Sequence, residues 1–197
     1  TYATVNLAAL AHNLSRIKRY LSPGCKVMAI VKANAYGHGA IGTSQSLARQ
    51  GIGQFAVASL DEGIALRQAG LSASIVVLGA LFEEQVPDLI AHRLTPVVSD
   101  GRILPNLAKA VRSYQTPYPI HLKVETGMGR LGFSSEELLA VLDDPLLHSP
   151  LQVEGMMTHL ADADGADSAF TERQLAAFHA ILEQIRLRGL NVPLVPA

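Results

Sequence analysis

The residues best equipped for chemistry stand where apolar runs end. Lys32 directly follows Val27-Met28-Ala29-Ile30-Val31. Partial desolvation at the end of a buried strand favours an amine's neutral, nucleophilic form, which suits an imine with an aldehyde. The competing reading is a strand-end lysine that reaches back to solvent. Tyr36-Gly37-His38-Gly39 follows. Its two glycines either let backbone N–H groups approach an anion, with Tyr36 donating to a phosphate oxygen, or make a tight turn into a helix. A third stretch is Lys123-Val124-Glu125-Thr126-Gly127-Met128-Gly129-Arg130-Leu131-Gly132. Strand alternation puts Lys123 and Glu125 on one side, where two charges need partners or a polar pocket. A surface ion pair followed by a flexible loop is the alternative.

The fourth stretch is Met157-Thr158-His159-Leu160-Ala161-Asp162-Ala163-Asp164. His159 is suited to packing on, or hydrogen-bonding, a ring in a pocket. A metal set of His159, Asp162 and Asp164 competes with a lone histidine followed by two helix-capping aspartates, and no metal is expected. His12, His92, His148 and His179 read as structural or exposed. His121 stands two positions before Lys123 and shares its face. Cys25 reads as a small core residue. As the single cysteine it excludes an intrachain disulfide and a four-cysteine zinc site, and it suits a reducing compartment.

The elements that must position these groups alternate. Leu7, Leu10, Leu14, Ile17 and Leu21 fall on one face of a helix stopped by Pro23-Gly24. Residues 27–31 form a strand without polar alternation, so both its faces should be covered. Then come a helix over 39–50 and a strand over 55–58. Ser59 and Glu62 make a capping box that opens a helix ending at Gly70. A strand over 75–78, a helix over 83–91, a strand over 95–98, a helix over 105–111 and a strand over 120–124 follow. Ser134 and Glu137 form a second capping box, for a helix through Leu142. After a strand over 153–158, Thr171 and Gln174 open a long helix through Arg188, closed by Gly189. Residues 192–195 read as a last strand.

Seven strand candidates separated by helices predict a parallel α/β sheet. A doubly wound sheet and a (β/α)8 barrel compete. Capable side chains at equivalent places favour the barrel: Lys32 after the first strand, Lys123 in the fifth, His159 after the sixth. No GxGxxG follows the first strand, as a dinucleotide-binding sheet would require. The expected fold is therefore a TIM-type barrel, truncated after about seven strands.

Composition removes other classes. The chain has 197 residues, 49% of them hydrophobic, and a formal net charge of -1. That is too apolar for a disordered tail, and it lacks the basic excess with which phosphate-neutralising nucleic-acid binders work. No apolar run approaches the roughly 20 residues of a membrane span. The start, Thr1-Tyr2-Ala3-Thr4-Val5, has no signal-peptide order and no initiator Met, so the N-terminus reads as processed, trimmed or left out.

The run from Val31 to Gly39, VKANAYGHG, resembles the pyridoxal-phosphate attachment motif of bacterial alanine racemases. The match is long and specific. The stretches 123–132 and 159–164 support it in the family's order and spacing, and the resemblance runs from Asn6 nearly to the C-terminus. One departure is Glu125, where the family usually has Asp. The resemblance implies that Lys32 bonds the pyridoxal-phosphate aldehyde and serves as the base facing the D-alanine Cα proton. It implies that Tyr36 contacts the cofactor phosphate, Leu78 lines the cofactor pocket and His159 lies against the pyridine ring. Lys123 resembles a lysine often carbamylated in the family, which would help hold Arg130. Arg130 would lie near the cofactor's phenolic oxygen and the substrate carboxylate.

The resemblance further implies a longer, homodimeric, cytoplasmic enzyme that interconverts L- and D-alanine by two-base proton transfer and supplies D-alanine for the cell wall. Its C-terminal β domain provides a catalytic tyrosine to the other subunit, and a later arginine pairs with the pyridine nitrogen. On this reading residues 1–197 are an incomplete N-terminal barrel domain with little racemase activity alone. The alternatives are a broad-spectrum amino-acid racemase or a decarboxylase on the same barrel, or a non-catalytic pyridoxal-phosphate-binding protein.

Overall fold

The computed structural model of the chain describes residues 2–190 and 192–195. Strands and helices alternate: α1 (Leu7–Tyr20), β1 (Met28–Ile30), α2 (Ala40–Arg49), β2 (Gln54–Val57), α3 (Leu60–Gln68), β3 (Ser74–Val77), α4 (Val86–Ala91), β4 (Thr95–Val98), α5 (Leu104–Ala110), β5 (Tyr118–Lys123), α6 (Ser135–Leu142), β6 (Leu151–Met157) and α7 (Ala169–Leu187). They form two compact units, residues 1–79 with 88–95 and residues 80–87 with 96–197.

In the first unit β1, β2 and β3 pair in parallel in chain order, with Ile30 opposite Ala56 and Ala56 opposite Val76. Phe55, Ala56, Ile75 and Val76 are fully buried. Such near-continuous apolar strands are what helices covering both faces require. The expectation of two covered faces fails for the strand before Lys32. Within this unit β1 pairs with β2 alone, and Ile30 is 40% exposed. α1 has the predicted period, and the Asn6 side chain caps it by accepting the N–H groups of Ala8 and Ala9. Its apolar face stays partly open: Leu14 is buried, Ile17 is exposed, and both line an apolar groove of about 540 Å³ with Leu10, Val27 and Ile30. Cys25 is exposed in the loop before β1, which corrects its reading as a core residue. The predicted Ser59–Glu62 capping box is present at α3.

In the second unit β4, β5 and β6 are again parallel in chain order, with Val97 opposite His121 and Leu122 opposite Met156. Neither unit shows the order reversal that marks a doubly wound switch point. The six parallel strands with helices between them follow the pattern of an incomplete (β/α) barrel. Ile120 pairs with Val153 but His121 with Gly155, so Glu154 is a bulged extra residue. The Ser134–Glu137 capping box opens α6 as predicted. Residues 83–91 are a single 3₁₀ turn followed by α4, not one helix. Thr171 and Gln174 do not open the last helix: α7 starts at Ala169, and both lie inside it. Of the expected strand over 192–195, Leu194 alone bridges to Gly155; its N–H donates to Glu154 O and its carbonyl accepts from Met156 N.

Candidate active site

In the first unit Lys32 follows β1 after the buried Val31. The chain then does something its residue types do not advertise. Ala33 (φ 50°, ψ 49°), Asn34 (φ 54°, ψ 46°) and Ala35 (φ 53°, ψ 47°) are left-handed, and Tyr36 continues at φ 52°. Each such L-residue costs about 1–2 kcal/mol relative to a right-handed turn. Strain of this kind persists where surrounding groups over-determine it. Here Glu62 does so. One carboxylate oxygen accepts the Ala33 N–H at 2.6 Å, and the other accepts Ala58 N–H at 2.7 Å and Ser59 N–H at 3.3 Å. The capping-box glutamate of α3 thereby also fixes the first peptide after Lys32.

The turn closes on itself. Gly37 N donates to Ala33 O, His38 N to Ala35 O and Gly39 N to Asn34 O, while Asn34 Oδ1 accepts from Ala40 N at 2.8 Å. These N–H groups are engaged within the turn, so the tight-turn reading of 36–39 holds over the backbone anion cradle. Gly37 and Gly39, at φ 85° and 82°, take conformations that other residues resist. Tyr36 is 60% exposed, and the Lys32 ammonium lies 5.9 Å from its ring centre, within cation–π range. Leu78 sits half-buried just past β3, its N–H donating to Val57 O.

In the second unit Lys123 ends β5 and is 8% exposed. Phe133 N donates to Lys123 O, and Glu125 N donates to Phe133 O, closing residues 125–132 into a loop. The Glu125 carboxylate turns onto that loop and accepts N–H groups from Gly127 and Arg130. Burial alone would raise its pKa. Hydrogen bonds from the Gly129, Arg130, Gly127 and Met128 backbone outweigh that and hold it below the usual carboxylate range. Shared-face alternation stops here because the strand ends at Lys123. The loop's own carboxylate orders it, so it is not a free flexible segment. Arg130 is exposed and lines a cleft of about 560 Å³ with Ser99, Asp100, Arg102 and Leu131.

His159 is exposed just after β6, beside the buried Thr158. Beneath it lies a polar network absent from the sequence reading. Gln174, 1% exposed on α7, donates through Nε2 to His159 O at 3.1 Å and to Thr126 Oγ1 at 3.2 Å. Its Oε1 accepts from Ala161 N at 2.9 Å. Thr126 and Thr158 hydroxyls meet at 2.6 Å, and Thr158 Oγ1 donates to Val124 O. Asp162 and Asp164 are exposed, and among the described residues no three His, Cys, Asp or Glu side chains gather to hold a metal. His121 is fully buried, with Nε2 3.5 Å from the Glu154 carboxylate. Burial lowers its pKa, and Glu154 opposes that in part. A Cβ at Gly155 would stand 2.6 Å from the His121 ring, so this pairing admits only glycine.

The first unit thus places Lys32, Tyr36 and Leu78 after its strands, and the second places Lys123, Arg130 and His159 at or after the ends of its own. A family profile described as the alanine racemase N-terminal domain matches residues 5–197. The chain belongs to that family. Its relatives include the alanine racemase of Sorangium cellulosum, 41% identical over 197 residues, covering 97% of this chain and 52% of that one. That of Carboxydothermus hydrogenoformans is 38% identical over 191 residues, covering 97% and 51%. Among solved structures, the Clostridium difficile alanine racemase in complex with cycloserine superimposes with a TM-score of 0.89 at 28% identity, over 97% of this chain and 53% of that one. The Bacillus anthracis alanine racemase with bound L-Ala-P gives 0.88 at 29% identity, over 98% and 50%. This member of the alanine racemase family spans about half the length of the curated relatives it matches. No helix among its described residues is long and apolar enough to cross a membrane.

Proposed function

We propose that this chain is the N-terminal barrel portion of a pyridoxal-phosphate-dependent alanine racemase. The observation that carries the reading is Lys32, held after β1 by a left-handed turn, in a chain of the alanine racemase N-terminal domain family. The residues present fit the cofactor. They offer a primary amine for its aldehyde, an exposed phenol for its phosphate and an apolar wall at Leu78. The N–H groups of the 37–40 turn are engaged internally, and the exposed Tyr36 hydroxyl is available to meet the phosphate. When bound, pyridoxal phosphate supplies the electron sink for a carbanion at Cα.

The chain's own residues would then divide the remaining tasks. Lys32 would hold the cofactor and would move the Cα proton on the D-alanine face. Arg130, whose guanidinium is exposed, orients the substrate carboxylate through paired N–H donors. Lys123, as a carbamate, would turn a buried cation into an anion that steadies Arg130. His159 would pack against the cofactor ring. Fixing the Cα–H bond in one orientation is the protein's share of the rate. In a protein of the relatives' length, the second base, the closing strands of an eight-stranded barrel and a C-terminal β domain would come from residues outside this stretch, and a second copy would complete a homodimer.

The test is visible absorbance after adding pyridoxal phosphate, with Lys32→Ala alongside, together with racemisation of alanine by a protein of the relatives' full length. We expect a Lys32-dependent band, alanine racemisation by the full-length protein and little or none by residues 1–197. A band that survives Lys32→Ala overturns the reading of Lys32, and full turnover by the 197 residues overturns the expectation that this portion is inactive alone. Decarboxylation in place of racemisation would assign the site to a different reaction.

A further inference from the structure

Among the described residues of the second unit, Gln174 is a buried polar side chain whose amide oxygen and nitrogen both have partners, and it belongs to no reacting group. Ala161 N–H needs an acceptor, so the amide oxygen must face it, and Nε2 must then face His159 O and Thr126 Oγ1. The hydroxyl hydrogens follow. Thr158 gives its hydrogen to Val124 O, and Thr126 accepts from Gln174. The 2.6 Å contact between the two threonines is therefore a donation from Thr126 to Thr158. One directed chain runs from the Gln174 amide through both hydroxyls to the end of β5. A second arm of the same amide grips the backbone on both sides of Leu160. Chains of this kind strengthen each member, and a missing member leaves buried groups unsatisfied.

We propose that Gln174 is a positioning residue whose carboxamide ties the loop after β5, which carries Arg130, to the loop after β6, which carries His159, so that both keep or lose their geometry together. This deepens the proposed racemase reading and rests on it for the roles of Arg130 and His159; the tie itself stands on the hydrogen bonds alone. Gln174→Leu keeps the bulk and removes all three bonds. Thr126→Val cuts the arm to the first loop and leaves the arm to the second.

The experiment is hydrogen exchange on the whole 197-residue chain, read by peptide, with and without pyridoxal phosphate. In the wild-type chain the amides of Arg130 and Ala161 are protected. Gln174→Leu speeds exchange about tenfold in both 126–132 and 158–164 while β4 and β5 keep their protection. Thr126→Val speeds it in 126–132 alone. Gln174→Glu gives pH-dependent exchange in both loops: a protonated carboxyl restores one donor, and an ionised one faces His159 O without any. With pyridoxal phosphate bound, Gln174→Leu keeps the Lys32-dependent absorbance but weakens its induced circular dichroism severalfold. Unprotected wild-type loops overturn the tie. So does faster exchange in one loop only for Gln174→Leu, or uniformly faster exchange throughout the unit. If the wild-type chain shows no Lys32-dependent band, the cofactor reading falls for this chain, and the exchange pattern still decides the tie.

Discussion

The turn after Lys32 and the two loops of the second unit reach order by opposite routes. The turn is a run of backbone angles that L-residues avoid, stabilised from outside by one carboxylate, Glu62, and from inside by its own N–H groups. The loops have glycines where the chain bends, but their order comes from polar side chains. Glu125 gathers the N–H groups of one loop, and the buried Gln174 joins both loops to α7. A strained turn depends on a few strong acceptors. A side-chain network depends on every member being satisfied.

The largest effect expected from breaking this contrast is beneath the second unit's loops. Gly155→Ala drives a Cβ into the fully buried His121 ring and should cost about 3 kcal/mol, as overpacked cores do. Urea denaturation reads the loss, and adding His121→Ala should recover most of it. No recovery would mean that the clash is not the cause.

Glu62→Ala strips three backbone donors of their acceptor and releases the turn, at about 2 kcal/mol. The same variant should weaken any Lys32-dependent cofactor band, whereas Gly155→Ala should spare it in the folded fraction. An unmoved denaturation midpoint would show that the turn holds itself. Thr126→Val should cost less, about 1 kcal/mol, because Thr158 keeps its bond to Val124 O. A loss equal to that of Glu62→Ala would erase the distinction between the two regions.

The smallest effects are in the pH dependence. His121 has a lowered pKa in the fold, so its contribution is present above its unfolded value near about 6.5 and is lost as pH falls toward the folded value. Glu125 is also lowered, so its contribution is present above about 4.3 and disappears as pH falls through the folded value. Stability should therefore decline in two stages on acidification. His121→Phe should remove the upper stage and Glu125→Gln the lower. A denaturation midpoint flat from neutral pH to pH 5 in the wild type contradicts the upper assignment.

Much of the framework was legible because it is written locally. Ser59 with Glu62 and Ser134 with Glu137 mark helix starts through bonds spanning three residues, and both boxes form. Apolar runs such as 55–57 and 75–77 require cover on both faces wherever they are placed. The VKANAYGHG run and its two supporting stretches carried the family likeness. Other features had no local mark. Ala33-Asn34-Ala35-Tyr36 contains no glycine, and its residue types predict right-handed geometry; the acceptor that decides otherwise comes from a residue 29 positions away. Gln174 resembled the far half of a capping box because its spacing from Thr171 fits one, yet its amide is taken by Thr126 and His159. Cys25 and Ile30 are exposed although their types favour burial.

By itself, then, the sequence determined the order of strands and helices, the Ser59 and Ser134 caps and the residues able to do chemistry. Those depend on period, propensity and neighbours within a few positions. Only the tertiary structure decided the hand of the turn after Lys32, the partner of each buried polar group and the strand faces left open. Backbone strain, hydrogen-bond satisfaction and burial are settled between residues that are distant in the chain and meet only when it folds.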